Sequence, residues 1–168
     1  MFRFIAESLL RSQIKKDNSG VKKQFIPWDN IQRIALIIEG NDHFNKSALD
    51  KFIAESKKYV EVFYVELKSK QATFSDWQCF SKKDKNTVSL PKKELLEALK
   101  KKQFDLVINT IHENELFAAS ISSAIPAPFK IGHSGKYNDV NLIIKRIEHH
   151  NLISYLNDAL RYLKMIKS

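Results

Sequence analysis

The chain has 168 residues, of which 43% are hydrophobic and 28% charged, with only four Gly and four Pro. This is the balance of one globular domain with an ordinary core, and it excludes a disordered or low-complexity chain. The formal net charge is +9 and the one cysteine is Cys79, so no intrachain disulfide can form and an anionic partner suits the charge.

The charge is dispersed. Lys15-Lys16, Lys22-Lys23, Lys57-Lys58, Lys82-Lys83, Lys92-Lys93 and Lys100-Lys101-Lys102 are spread along the chain, and Arg occurs only five times. That pattern reads as a lysine-rich surface without specific nucleic-acid recognition, since base-edge readout favours Arg forks. No apolar run reaches the length of a membrane span. Met1 to Glu7 lacks the apolar core and small-residue cleavage site of a signal peptide. The expected setting is the cytoplasm.

Residues 1 to 16 predict an amphipathic helix. Phe2, Ile5 and Leu9 recur at helical spacing, and Leu10 and Ile14 extend the stripe. Asp17-Asn18-Ser19-Gly20 breaks it. Residues 1–20 are therefore expected to be a separable helix and break, and 21–168 a single α/β domain that folds without it. The helix suits packing on the domain or one half of a dimer contact.

Trp28 anchors the connector that follows. The run Ile34-Ala35-Leu36-Ile37-Ile38 predicts a strand buried on both faces, ended by Gly40-Asn41-Asp42. Ser47, with Asp50 three residues on, predicts a helix start. Tyr59 to Leu67 predicts a second strand. Lys68 to Ser89 is the least regular stretch, with Phe74, Trp77, Cys79 and Phe80 as its apolar residues and Ser81 to Asn86 as a polar loop. Val88 to Leu90 predicts a short third strand, and Pro91 suits a helix first turn whose inward face is Leu95, Leu96 and Leu99.

The central unit runs from Phe104 to Lys136. FDLVINT reads as a buried strand, a short helix follows, and Pro126 and Pro128 lead into a strand that stops at Gly132. Strand–helix–strand is the mark of a parallel sheet. Asn141 to Ile147 predicts the last strand. Asn151 caps a final helix with the stripe Leu152, Leu156, Ala159, Leu160 and Leu163. The fold class is α/β: a three-layer sandwich around a mostly parallel sheet of five or six strands, Rossmann-like or flavodoxin-like.

No catalytic or cofactor motif stands. Gly132-His133-Ser134-Gly135-Lys136 has Lys130 where a phosphate loop requires Gly, and Tyr137 where it requires Ser or Thr. Gly40 stands alone where a dinucleotide fingerprint needs three glycines. Cys79 has no evident histidine partner, His149-His150 point apart, and Ser122-Ser123 lack a nucleophile elbow. Three histidines follow predicted strand ends: His43, His112 and His133. With parallel strands, Gly40, Asn41, Asp42, Asn109, Thr110, His112, Gly132 and His133 share one edge. The helix expected to begin near Glu113 would present its backbone N–H groups there. An anionic or phosphorylated ligand is the chemistry this edge would take; a three-histidine metal site is a distant second.

Lys83-Asp84-Lys85-Asn86 with Pro91, Phe104 to Asn109, Phe129-Lys130-Ile131-Gly132, and Tyr162 to Ile166 resemble a family of small bacterial proteins known as a domain of unknown function. The resemblance covers residues 25 to 168 and implies no assigned activity. More distantly, FDLVIN followed by a helix and FKIG is similar to the acceptor-side half of heptosyltransferase-type glycosyltransferases. That likeness implies the fold and not the transfer, because the chain has no room for the second half that binds sugar nucleotide. The leading expectation is a non-enzymatic binding or interaction module without cofactor, with a homodimer as one partner. The alternative is a small anionic ligand, or a remnant enzyme, at the strand ends.

Overall fold

The computed structural model describes residues 2–40, 45–66, 76–112, 115–133, 136–137, 139–145 and 151–167. Six strands form one sheet in the order β3-β2-β1-β4-β5-β6, and every pairing is parallel. The strands are β1 (Arg33–Glu39), β2 (Tyr59–Val65), β3 (Gln78–Phe80), β4 (Leu106–Asn109), β5 (Phe129–Gly132) and β6 (Leu142–Ile143). The helices are α1 (Phe2–Asn18), α2 (Lys46–Ser56), α3 (Lys93–Lys100), α4 (Leu116–Ala124) and α5 (Leu152–Met165). This is the three-layer α/β sandwich that the alternating pattern predicts.

The strand order follows from β1. Ile34 to Ile38 are all buried, so both faces of β1 need a covering layer. One face meets α2 and α5, with Leu36 and Ile38 packed among Leu49, Leu152, Leu156 and Leu163. The other meets α3 and α4, with Ala35 and Ile37 against Leu99, Phe117 and Ile121. The Asp105 carboxylate accepts the backbone N–H groups of Gln32 and Arg33 at 2.8 Å each, pinning the start of β4 to the start of β1. The chain thus winds outward from β1 to β3, returns, and winds outward again from β4 to β6.

Helix α4 is buried from Phe117 to Ala124. A helix apolar all round has to be covered on both sides, and α1 supplies the outer cover. Ala6, Leu10 and Ile14 form its inward face and pack with Leu90, Ala119 and Tyr137. A polar seam runs beside them: Gln13 donates to the Ser120 carbonyl at 3.0 Å, and Ser123 donates to Asp17 at 3.0 Å. Of the stripe that spacing suggested, Leu10 and Ile14 turn inward and the other three residues do not. Phe2, Ile5 and Leu9 are exposed at 72%, 42% and 51%, because the small residues of α4 admit the Ala6 face instead.

Other boundaries shift for local reasons. Asn45, not Ser47, caps α2, accepting from the N–H of Ser47 and Ala48. The third strand is Gln78–Phe80, not 88–90; Ser89 takes a left-handed backbone (φ 64), and Val88 and Leu90 pack with the α1 cluster. Lys82–Asp84 form a 3-10 turn closed by Asp84 on the Ser81 N–H. α4 starts at Leu116 rather than near Glu113, which lies outside the described residues. The edge strands β3 and β6 have three and two residues. Among the described residues no helix is long and apolar enough to cross a membrane.

Leu10 is fully buried and Phe4 is 80% exposed. Leu10→Ala is expected to lower unfolding free energy by about 2–5 kcal/mol, and Phe4→Ala to change it by less than about 0.5 kcal/mol. Urea denaturation of the two variants checks this. Removing residues 1–20 should retain the sheet, at the stability cost of exposing Leu90, Ala119 and Tyr137.

Candidate functional site

Strand order reverses between β1 and β4, and in open α/β sheets the crevice at the carboxyl ends beside such a reversal is where ligands sit. Gly40 closes β1 there, its N–H on the Val65 carbonyl at 2.8 Å and its carbonyl accepting from the Tyr64 hydroxyl at 3.1 Å. A Cβ at Gly40 would stand 3.0 Å from that hydroxyl, so a side chain here would require the Tyr64 ring to give by a few tenths of an ångström. Asn41, Asp42 and His43 lie outside the described residues.

The next ends come from β4 and β5. The Asn109 amide oxygen accepts from the Ile111 N–H at 3.0 Å, a local turn that fixes the chain as it leaves β4. Thr110 donates both its N–H and its hydroxyl to the Ile37 carbonyl, each at 3.0 Å. His133, just after Gly132, places Nε2 2.6 Å from the Thr110 carbonyl. A carbonyl only accepts, so Nε2 carries the hydrogen. The ring stacks on Tyr155 at 4.7 Å.

Asn109, Thr110, Gly132 and His133 are thus brought together, and the bonds of Thr110 and His133 brace the ends of β1, β4 and β5 to one another. His112 is exposed beside them. Asn109, His112, Gly132 and His133 line a cavity of about 20 Å³ with Tyr137 and Asp139, room for about one water. The Tyr137 hydroxyl is buried and has no hydrogen-bond partner among the described residues. Burial raises the Asp139 carboxyl above the usual carboxylate range, opposed by a bond to its own backbone and by the charges of Lys130 and Lys23. Among the described residues no group of three His, Cys, Asp or Glu could hold a metal ion.

A larger cavity, about 290 Å³, opens at the opposite edge. It lies where the C-terminal ends of α1 and α4 meet the start of β5. Lys16, Lys23, Lys100 and Lys130 line it, with Asp17 and Asn141. Lys130 is 5% exposed and donates to the Ser122 and Ser123 carbonyls at 2.7 and 3.1 Å. Its ammonium therefore takes the place of a cation at the negative end of α4. Burial lowers its pKa to about 8, opposed by the charges of Asp139 and Asp17. Sequence reasoning passed over this residue. The signal was the FKIG run itself: every position of an interior strand is buried, so a lysine there must bury its stem and find acceptors.

The architecture is that of an open, doubly wound α/β domain with the dinucleotide-fold strand order but without the glycine fingerprint that fold uses for dinucleotides. The chain belongs to the Family of unknown function (DUF6913), whose model matches residues 3–166. The match takes in nearly all of α1, beyond the 25–168 span that the motifs suggested. No curated protein and no solved structure matches the chain.

The buried lysine carries a pH signature. An unfolded lysine holds its proton to about pH 10.4, whereas folded Lys130 releases it near 8. Between those values the unfolded chain binds more protons, so stability should rise with pH, by at most about 1.4 kcal/mol per unit for one proton. Below pH 8 the full cost of the buried charge is present. Above 10 the raised pKa of Tyr64, caused by burial, begins to act the other way. Urea midpoints from pH 7 to 10 should climb in the wild type and flatten in Lys130→Met.

Proposed function

We propose that the protein is a non-enzymatic interaction module that pairs with a second copy of itself through the outer flank of α1. The observation that carries this reading is the exposure of Phe2, Ile5 and Leu9 on one line of a helix whose inner face is already committed to the core. An antiparallel meeting of two α1 helices would set Phe2 against Leu9 of the second copy, with Ile5 at the centre. The alternative route, strand pairing at a sheet edge, is disfavoured by edge strands of three and two residues.

The contact is small. Burying these side chains from both copies yields roughly 5–10 kcal/mol gross, comparable with the roughly 4–15 kcal/mol that association costs. The largest net gain these figures allow is about 6 kcal/mol, so any dimer is weak, with a dissociation constant no tighter than about 40 μM. The reducing conditions of a cytoplasm suit it, since Cys79 is in no disulfide. Sedimentation equilibrium from about 10 μM to 1 mM should show concentration-dependent dimerisation that Ile5→Glu and Leu9→Glu abolish without lowering thermal stability. A monomer across that range, or dimers unaffected by both variants, would refute the reading.

A second reading is a small anionic or phosphorylated ligand at the carboxyl edge, using Gly40, Asn41, Asp42, Asn109, Thr110, His112, Gly132 and His133. Tyr137, a lining residue whose buried hydroxyl has no partner among the described residues, favours it. Phosphorylated metabolites should then raise the melting temperature of the wild type but not of Asn109→Ala or His133→Ala. Equal shifts in all three proteins would remove the assignment.

A further inference from the structure

We propose that the 290 Å³ cavity between the C-terminal ends of α1 and α4 is a binding site for a compact dianion of the phosphate type. It is separate from the carboxyl edge and from the outer flank of α1. Its volume lies at the lower end of the roughly 300–1,000 Å³ of small-molecule pockets, which suits a phosphate or phosphomonoester rather than a dinucleotide.

Charge decides the sign of the occupant. Four lysines line the cavity against one carboxylate, Asp17. The two helix C-termini contribute about half a negative charge each, and Asp139 acts on Lys130 and Lys23 from behind. Lys100 is also paired with the exposed Glu97 at 3.5 Å, so the positive excess rests on Lys16, Lys23 and Lys130 and amounts to about one charge when Asp139 is protonated. A cation finds no place here, because the α4 carbonyls that would bind one already accept from Lys130.

The polar groups of the wall narrow the class further. Ser123 donates to Asp17, Ser19 to the Lys16 carbonyl at 2.7 Å, and the Asn141 side chain both accepts from the Lys130 N–H and donates to the Pro128 carbonyl. Asp17 is itself held by Gln13 and Lys100. Hydrogen bonding to the ligand therefore falls to the ammonium groups. Lys16 is exposed and, among the described residues, in no ion pair within 4.0 Å. Lysines recognise phosphate as point charges, without the planar fork of Arg. Such a site selects by charge density, favouring a dianion over a monoanion such as chloride.

The lining comes from α1 and the turn after it, from α3, α4, β5 and the approach to β6. An occupant would tie the C-terminal end of α1 to the body of the domain. Binding should therefore slow amide exchange in residues 14–23, a readout that neither dimerisation through Phe2, Ile5 and Leu9 nor binding at His133 would produce there.

The test is titration of the full chain with inorganic phosphate and with pyrophosphate at pH 7.5, at ionic strength held constant with sodium chloride. Calorimetry, melting temperature and amide exchange are read together. Saturable binding is expected, with pyrophosphate tighter than phosphate. Because Lys16 is exposed and Lys23 half-buried, both outside the apolar core, the double variant Lys16→Gln/Lys23→Gln should fold and bind at least tenfold more weakly. His133→Ala should bind as the wild type does, which separates this site from the carboxyl edge. Absence of saturation below about 10 mM, or equal affinity in the wild type and the double lysine variant, would overturn the proposal. Loss of binding in His133→Ala with the lysine variant unaffected would overturn it too, and would assign the anion to the carboxyl edge.

Discussion

Everything in this fold depends on β1 being buried on both sides. Five consecutive apolar residues from Ile34 to Ile38 cannot be half solvated, and a parallel sheet with two helical layers is the arrangement that covers them. Once β1 is central, β2 and β4 must flank it, and the chain must reverse its direction of winding between them. The reversal brings the ends of β1, β4 and β5 together, and there Thr110 and His133 serve as braces, Thr110 on the Ile37 carbonyl and His133 on the Thr110 carbonyl.

Those parts of the fold that rest on long apolar runs were legible in the residues. FDLVIN declares β4, the Asn151 cap and its leucine stripe declare α5, and alternation of strands with helices declares the layers. The third strand was not legible, because Gln78–Phe80 is too short to show a period, while Val88 and Leu90 look like a strand but turn through Ser89 to reach α1. The face of α1 was not legible either. Both of its apolar lines have helical spacing, and only the small side chains of α4 decide which one is taken in.

The site was legible as an edge but not as chemistry. Asn109, Thr110, Gly132 and His133 converge as parallel strands require. The residues that give the two cavities their character, Lys130, Tyr137 and Asp139, carry no motif. Tyr137 entered the sequence reading only as a departure from a phosphate loop, and Lys130 as that and as part of the FKIG run, neither with a role of its own. Their importance arises from burial, a tertiary property: an ammonium shared between two helix-end carbonyls, a phenol without a partner, and a carboxyl desolvated beside both.

Helix α1 touches each of these features at a different point. Its middle seals α4, its C-terminal end walls the lysine cavity, and near its start Glu7 reaches Lys136 at 3.8 Å while Arg11 lies over the Tyr137 ring. The very short strands at the two margins of the sheet have a consequence of another kind. Between them β3 and β6 offer only a few rungs of unpaired backbone, and each molecule carries a net charge of +9. The native protein is thus a poor template for cross-β growth, and fibrils of this chain would have to start from molecules that had first released β1 from its two layers.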